Sequence, residues 1–311
     1  MDLSQVPDDI KELIVEKTHP NARFTLRKTD KTFQSLVDNS HTSYDTIHIG
    51  VPGGGGINLD FETTSNVTKQ IEYLLATSSI CEVSTEDSDT VTEVHGQTDI
   101  ERCIADLAIL VRSPNCTIRE LVFAVDSSNG GVFECLNKEL SQFDHKLNLR
   151  LLTFNDQITQ EQILGVLQHV NLENFVDITA RKCNYPLARL AASEHWKKAK
   201  SIEIGDVDLP VTSFLHLDWC YIGKMEVSED DVKNMIQTFL ARGETFKSFS
   251  YEPVQPNGNL IVERVLEAYE NKETRPVIPH YNIKIVGTNY HLNIINAPLR
   301  VMFRKVDSTI F

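Results

Sequence analysis

A chain of 311 residues with 41% hydrophobic and 24% charged residues has the balance of an ordinary globular protein and enough length to bury a substantial core, which excludes disorder of the whole chain. Thirty Lys plus Arg face 44 Asp plus Glu, and the resulting formal charge of -14 repels phosphate backbones, so nucleic acid is not an expected partner. The best basic patch, Trp196-Lys197-Lys198-Ala199-Lys200, is short and reads as a solvated helix end.

The longest apolar runs, such as Ile104 to Val111 with Asp106 inside, fall far short of the roughly 20 residues that span a bilayer, so no membrane partner is expected. The first residues are acidic and polar and lack the pattern of a secretory signal, which assigns the chain to the cytosol or nucleus. Cysteines at positions 81, 103, 116, 135, 183 and 220 form no C-x-x-C pair and lie mostly in apolar segments. Buried reduced thiols are expected, with no metal and no other cofactor.

The chain opens on Val6-Pro7-Asp8-Asp9-Ile10-Lys11-Glu12-Leu13-Ile14. Pro7 suits a helix start, Asp8 and Asp9 suit the positive end of its dipole, and Ile10, Leu13 and Ile14 recur at helical spacing. Two further short helices are expected over Pro20 to Lys28 and Lys31 to Asp38, with Phe24, Leu26, Phe33, Leu36 and Val37 as apolar points. A trio of roughly 40 residues is near the lower limit for a free-standing core, so the stripe needs a partner.

Residues 44 to 61 alternate at Ile47, Ile49 and Val51, pass through a glycine run, and alternate again at Ile57, Leu59 and Phe61, which predicts a β-hairpin. No Lys-Ser/Thr pair follows the glycines, so a phosphate loop is not indicated. Ser65 to Leu75 reads as a helix and the polar, acidic stretch Glu82 to Gly96 as a mobile loop.

From Thr98 onward, where Thr98 and Glu101 form a capping box, strand and helix alternate. Strands are expected at Ile118 to Val125, Leu147 to Phe154, Phe175 to Thr179, Ser201 to Ile204, Phe214 to Trp219 and Phe246 to Tyr251. Helices are expected at Gly131 to Phe143, Thr159 to Val170 with a capping box of Thr159 and Gln162, Ala188 to Lys198 and Ser228 to Leu240, the last ended by Gly243. Most strands start about 25 to 30 residues apart, the period of a strand-helix array. A helix over Asn259 to Tyr269 and β-runs at Tyr281 to Val286, His291 to Ile295 and Leu299 to Val306 would cap its edge.

No catalytic constellation emerges. The ten histidines lack H-x-x-x-H or H-E-x-x-H spacing, there is no G-x-S-x-G elbow, and His195 reads as a packing or surface residue. Glu229-Asp230-Asp231 reads as the acidic first turn of a helix. Trp219 and Tyr221, with His216 nearby, could be interface anchors or core.

The segment LSQVPDDIKELIVEKTHPNARFTLRKTDKTFQSLVDN resembles an F-box, and IADLAILVRSPNCTIRELVF, HWKKAKSIEIGDVDLPVTSFLHLDWCYIG and SEDDVKNMIQTFLARGETFKSF resemble the FTH domain that accompanies F-boxes in a large nematode family. With the first segment taken as a three-helix F-box over residues 1–40 and a hairpin, helix and acidic loop over 41–97, the strand-helix period reads the rest of this α/β chain, 98–311, as an irregular leucine-rich-repeat-like array with a C-terminal β cap, the rival being a conventional α/β layered domain. The resemblance implies a substrate-recognition subunit of an SCF, cullin-type E3 ubiquitin ligase that performs no covalent step itself. Val6, Pro7, Ile10, Leu13, Ile14, Leu26 and Phe33 would then form or support the adaptor-docking face, the adaptor would join the chain to a cullin, and the array would hold a protein substrate. His216, Trp219 and Tyr221 are the candidates for that contact. Thr29 and Asp30 depart from the F-box pattern, where an apolar residue and a Cys or Ser are usual. The second reading is an interaction scaffold that has lost the adaptor, in which case the stripe would pack internally.

Overall fold

The computed structural model describes residues 5–18, 22–23, 26–52, 55–63, 68–86, 88–126, 129–184, 186–254, 258–267, 272–274, 279–285, 288–297 and 299–307. Parts of the second expected helix, including Phe24, and two glycines of the hairpin turn lie outside them. The protein is mixed α/β and divides into two compact units, Met1–Phe175 and Val176–Phe311.

The first unit begins with α1 (Asp8–Lys17) and α2 (Lys31–Asn39). Its strands are β1 (Thr42–Gly50), β2 (Ile57–Thr63), β3 (Thr68–Thr77), β4 (Ile80–Thr85), β5 (Ser88–His95), β6 (Cys116–Ala124), β7 (Asn148–Phe154) and the two-residue β8 (Ile158–Thr159). Between or after them lie α3 (Asp99–Leu110), α4 (Gly130–Leu140) and α5 (Gln160–Leu167).

The main strands run in the order β7-β6-β1-β2-β3-β4-β5. The β6 strand is parallel to both β1 and β7, whereas β1 through β5 form an antiparallel meander. The expected hairpin is β1-β2, with Ile47 opposite Phe61 and Ile49 opposite Leu59. All four side chains are buried on one face, where Phe123, Phe133 and Phe154 also cluster at centroid distances of 5.4 to 6.3 Å.

Two expectations fail in this unit. The helix expected from Ser65 to Leu75 is a strand where it is described, and the loop expected from Glu82 to Gly96 is largely β4 and β5. Ile71, Leu74 and Leu75 have helical spacing, but pairing with β2 imposes a period of two that buries Ile71 and Tyr73 and turns Leu74 to the opposite, exposed face, while Leu75 lies beyond the β2 pairing and is exposed. The β4-β5 stretch looks like a loop because an outer hairpin has little apolar surface to bury.

The second unit contains β9 (Asp177–Ala180), the two-residue β10 (Cys183–Asn184), β11 (Ser201–Ile204), β12 (Trp219–Met225) and β13 (Ser248–Pro253). The C-terminal strands are β14 (Lys272–Thr274), β15 (Pro279–Lys284), β16 (Tyr290–Ala297) and β17 (Arg300–Asp307). Helices α6 (Ala188–Ala191), α7 (Glu194–Lys198), α8 (Glu229–Arg242) and α9 (Gly258–Leu266) complete it.

Here β9-β11-β12-β13 are parallel neighbours in chain order, and β13 is followed by antiparallel β17, β16, β15 and β14. The C-terminal β-runs therefore do cover an edge of the parallel strands. Rows such as Ile178, Ile202, Cys220, Phe249 and Phe303 are in register and buried. Phe239 of α8 stacks on Phe246 at 4.1 Å and meets Phe249 and Phe303.

Two further corrections arise here. The strand expected at Phe214 to Trp219 is a 3-10 turn (Val211–Ser213) and a bend that bury Phe214, Leu215 and Leu217, and the strand starts at Trp219. The helix expected from Ala188 to Lys198 is two helices, because the Ser193 hydroxyl accepts from the Trp196 amide and starts a new one. Trp196 is buried and its Nε1 donates to the Ser213 carbonyl at 3.0 Å.

Capping boxes at Thr98 and Thr159 are observed as expected, and Ser228 forms another with Asp231. Glu229, Asp230 and Asp231 are indeed the first turn of α8, which ends at Gly243 with φ +52°. Five cysteines are buried and Cys135 is half-buried. No helix among the described residues is long and apolar enough to cross a membrane.

Candidate functional site

Two surfaces hold the residues singled out in the sequence. On the first, Pro7 begins α1, and its carbonyl accepts from the Ile10 and Lys11 amides at 3.1 and 2.9 Å. The helix does not bury the face that its apolar residues suggest. Lys11 and Val15 turn inward with Val6 and Phe33, whereas Ile10 is 44% and Leu13 49% exposed. Ile14 and Leu26 are half-buried, and Pro7 is exposed.

A buried lysine on a short helix needs compensation, and Lys11 has it. Its Nζ lies 3.4 Å from Asp30, 3.7 Å from Asp8 and 5.7 Å from the Phe33 ring centroid. Asp30 also caps α2 by accepting from the Phe33 amide at 2.9 Å. That bond, helped by Lys11, holds the Asp30 carboxyl below its ordinary value. Asp30, which departs from the F-box pattern, thus joins α1 to α2. The sequence pointed to neither role, because Lys11 looks like a solvated residue on a polar face.

Arg23 ties the same helices at their far ends, donating to the carbonyls of Thr18, at 2.9 Å, and His41, at 2.9 Å, and to the Ser40 hydroxyl at 3.1 Å. Arg27 makes a two-pronged pair with Asp38 at 2.6 and 3.2 Å. Ile10 and Leu13 are therefore displayed from a braced support.

The second surface is the polar face of β11, β12 and β13. Trp219 is 37% exposed at the start of β12, and Tyr221 follows on the same face, in register with Glu203 and Ser250. The Tyr221 hydroxyl donates to Glu252 at 3.0 Å and accepts from Arg300 at 3.3 Å, and that guanidinium stands 4.8 Å from the ring centroid. Burial first and the bond to Glu252 second push the Tyr221 phenol up. Arg181 pairs with Glu203 at 2.6 Å on the neighbouring strands.

His216 does not join this face. It lies in the bend before β12, exposed, with Nε2 2.9 Å from the Trp196 carbonyl oxygen, which is a structural contact. Arg300 and Glu252 were missed because β13 and β17 are far apart in sequence and only their pairing brings both to Tyr221. Among the described residues, no group of His, Cys, Asp and Glu could hold a metal ion.

The first unit thus displays an apolar helix ridge, and the second an aromatic, ion-paired sheet face. Residues 131–267, from α4 through the end of α9, match the family model of the FTH domain. No curated protein and no solved structure matches the chain.

Proposed function

We propose that this protein is the substrate-recognition subunit of an SCF-type ubiquitin ligase of the nematode F-box and FTH kind. Its N-terminal helices meet the adaptor, which links them to a cullin, and the strand-helix array, leucine-rich-repeat-like in outline, holds a protein substrate. The chain itself carries out no covalent step.

The observation that carries this reading is the exposure of Ile10 and Leu13 on a helix whose opposite face is buried. An apolar ridge held outward by a rigid base has the character of an interface anchor waiting for a partner surface. The scaffold alternative requires these side chains to pack internally, and their exposure argues against it. The FTH domain supports the reading because such domains accompany F-boxes. Trp219, Tyr221 and Arg300 are the residue types that dominate protein contacts, which favours that face for the substrate.

The test is co-purification of the full chain with the SCF adaptor, wild type beside an Ile10→Asp, Leu13→Asp variant whose folding is checked by circular dichroism. The wild type should retain the adaptor and the folded variant should lose it. A wild type that retains none defeats the proposal.

A further inference from the structure

A cavity of about 320 Å³ in the first unit is lined by Lys28, Lys69 and Arg102, with Asp106 at its base. Asp106 is 2% exposed and fully engaged: Tyr73 donates its hydroxyl to Oδ2 at 3.0 Å, and Arg102 donates Nε to Oδ2 at 3.1 Å and Nη2 to Oδ1 at 2.5 Å. This carboxylate fixes the Arg102 fork in the wall. The remaining lining is of two kinds, hydroxyls from Thr85, Thr90 and Thr92 and apolar surface from Ile71, Val83 and Val94.

Three cations facing one carboxylate in a chain of formal charge -14 run against the overall field. The Lys28 amine is held below its ordinary value by burial first and by Arg102, Lys69 and Arg27, against the opposing pull of Asp106. Such a group of like charges is relieved by an anion.

We propose that this cavity binds a phosphomonoester, whose dianion meets Lys28, Lys69 and Arg102 while its organic part lies against Ile71 and Val83. The lining has two positive charges in excess, which matches the roughly -1.5 to -2 of a phosphomonoester and exceeds the single charge of a carboxylate. Threonine hydroxyls supply further donors, and the Arg102 N–H groups that Asp106 does not engage can donate to phosphate oxygens. The volume is at the small end of ligand sites, large enough for a phosphorylated side chain or small metabolite and too small for a folded element. The proposal does not depend on adaptor docking, since Ile10 and Leu13 play no part in it.

Isothermal titration of the full chain tests it with three probes: N-acetyl-phosphothreonine N-methylamide, its unphosphorylated counterpart, and glycerol 3-phosphate. Wild type should bind a phosphorylated probe and ignore the unphosphorylated one. Lys69→Gln and Lys28→Gln, each checked by circular dichroism, should weaken binding by about tenfold, as expected for loss of a charge-assisted hydrogen bond. Tighter binding of the blocked phosphothreonine assigns the site to a phosphorylated protein segment, and tighter binding of glycerol 3-phosphate assigns it to a small metabolite. Failure of both phosphorylated probes to bind, or unchanged affinity in both folded variants, overturns the proposal.

Discussion

Leu13 and Phe33 lie in the same small helical segment, yet their truncation to Ala should act on different properties. Phe33 is fully buried, and deleting its ring from a site braced by Lys11 and Asp30 leaves a cavity costing about 3 to 5 kcal/mol. Leu13 is 49% exposed, so Leu13→Ala removes about half of the contacts of a core leucine and costs about 1 to 2.5 kcal/mol. The exposed half is what a partner would cover. Full burial of a leucine is worth about 1.5 to 3 kcal/mol, so completing it on docking contributes roughly 1 kcal/mol, and Ile10, 44% exposed, contributes a similar amount. The Ile10→Ala, Leu13→Ala double variant should then bind the adaptor about 30-fold more weakly, since each 1.4 kcal/mol is tenfold. Urea unfolding of each variant, paired with titration of the adaptor, separates the effects. A double variant that unfolds as readily as Phe33→Ala while keeping wild-type affinity would refute the assignment of α1's outer ridge to docking.

Two further outcomes follow from buried positions in the individual units. Burial, the largest influence on Asp106, raises its carboxyl pKa above the ordinary value even though Arg102 pulls the other way. The folded chain thus holds this proton more tightly than the unfolded chain. The contribution of the group is complete below the unfolded pKa of about 3.9 and declines as the pH rises through the folded value. Asp106→Asn should remove that decline, and urea midpoints measured from about pH 4 upward would show it as a flatter profile. A slope identical to wild type would place the titration elsewhere. Gly205 directly follows β11, and a Cβ there would fall 2.1 Å from the Arg181 carbonyl oxygen, a backbone atom that cannot rotate away. Gly205→Ala should cost about 1 to 3 kcal/mol by overpacking, read as a lowered thermal midpoint, and an unchanged midpoint would show that the two chain segments separate freely.

What the sequence determined by itself was whatever depends on neighbours a few residues apart. The capping boxes at Thr98 and Thr159, the acidic first turn of α8 and its end at Gly243 follow from bonds that close within one helical turn. The alternation of β1 and β2 and the buried rows at Ile202 and Ile204 follow from the two-residue period of a strand with one solvated face. The resemblance to the FTH domain was also legible in the sequence, and residues 131–267 match that family model.

The tertiary structure decided the rest, because those outcomes depend on partners distant in the chain. Pairing with β2 made a strand of a segment with helical spacing, and β4 and β5 owe their existence to that strand. Phe214, Leu215 and Leu217 were apolar enough for a strand, but burial in a turn satisfied them, and β12 began at Trp219 instead. Arg300 reached Tyr221 only through the antiparallel return of β17 onto β13. The direction α1 faces was also beyond a helical wheel. Asp30 and Phe33 compensate a buried Lys11, and rotating that lysine inward is what turns Ile10 and Leu13 toward solvent. Helical spacing identifies which side chains share a face, whereas the neighbours that can satisfy a charge determine which face is buried.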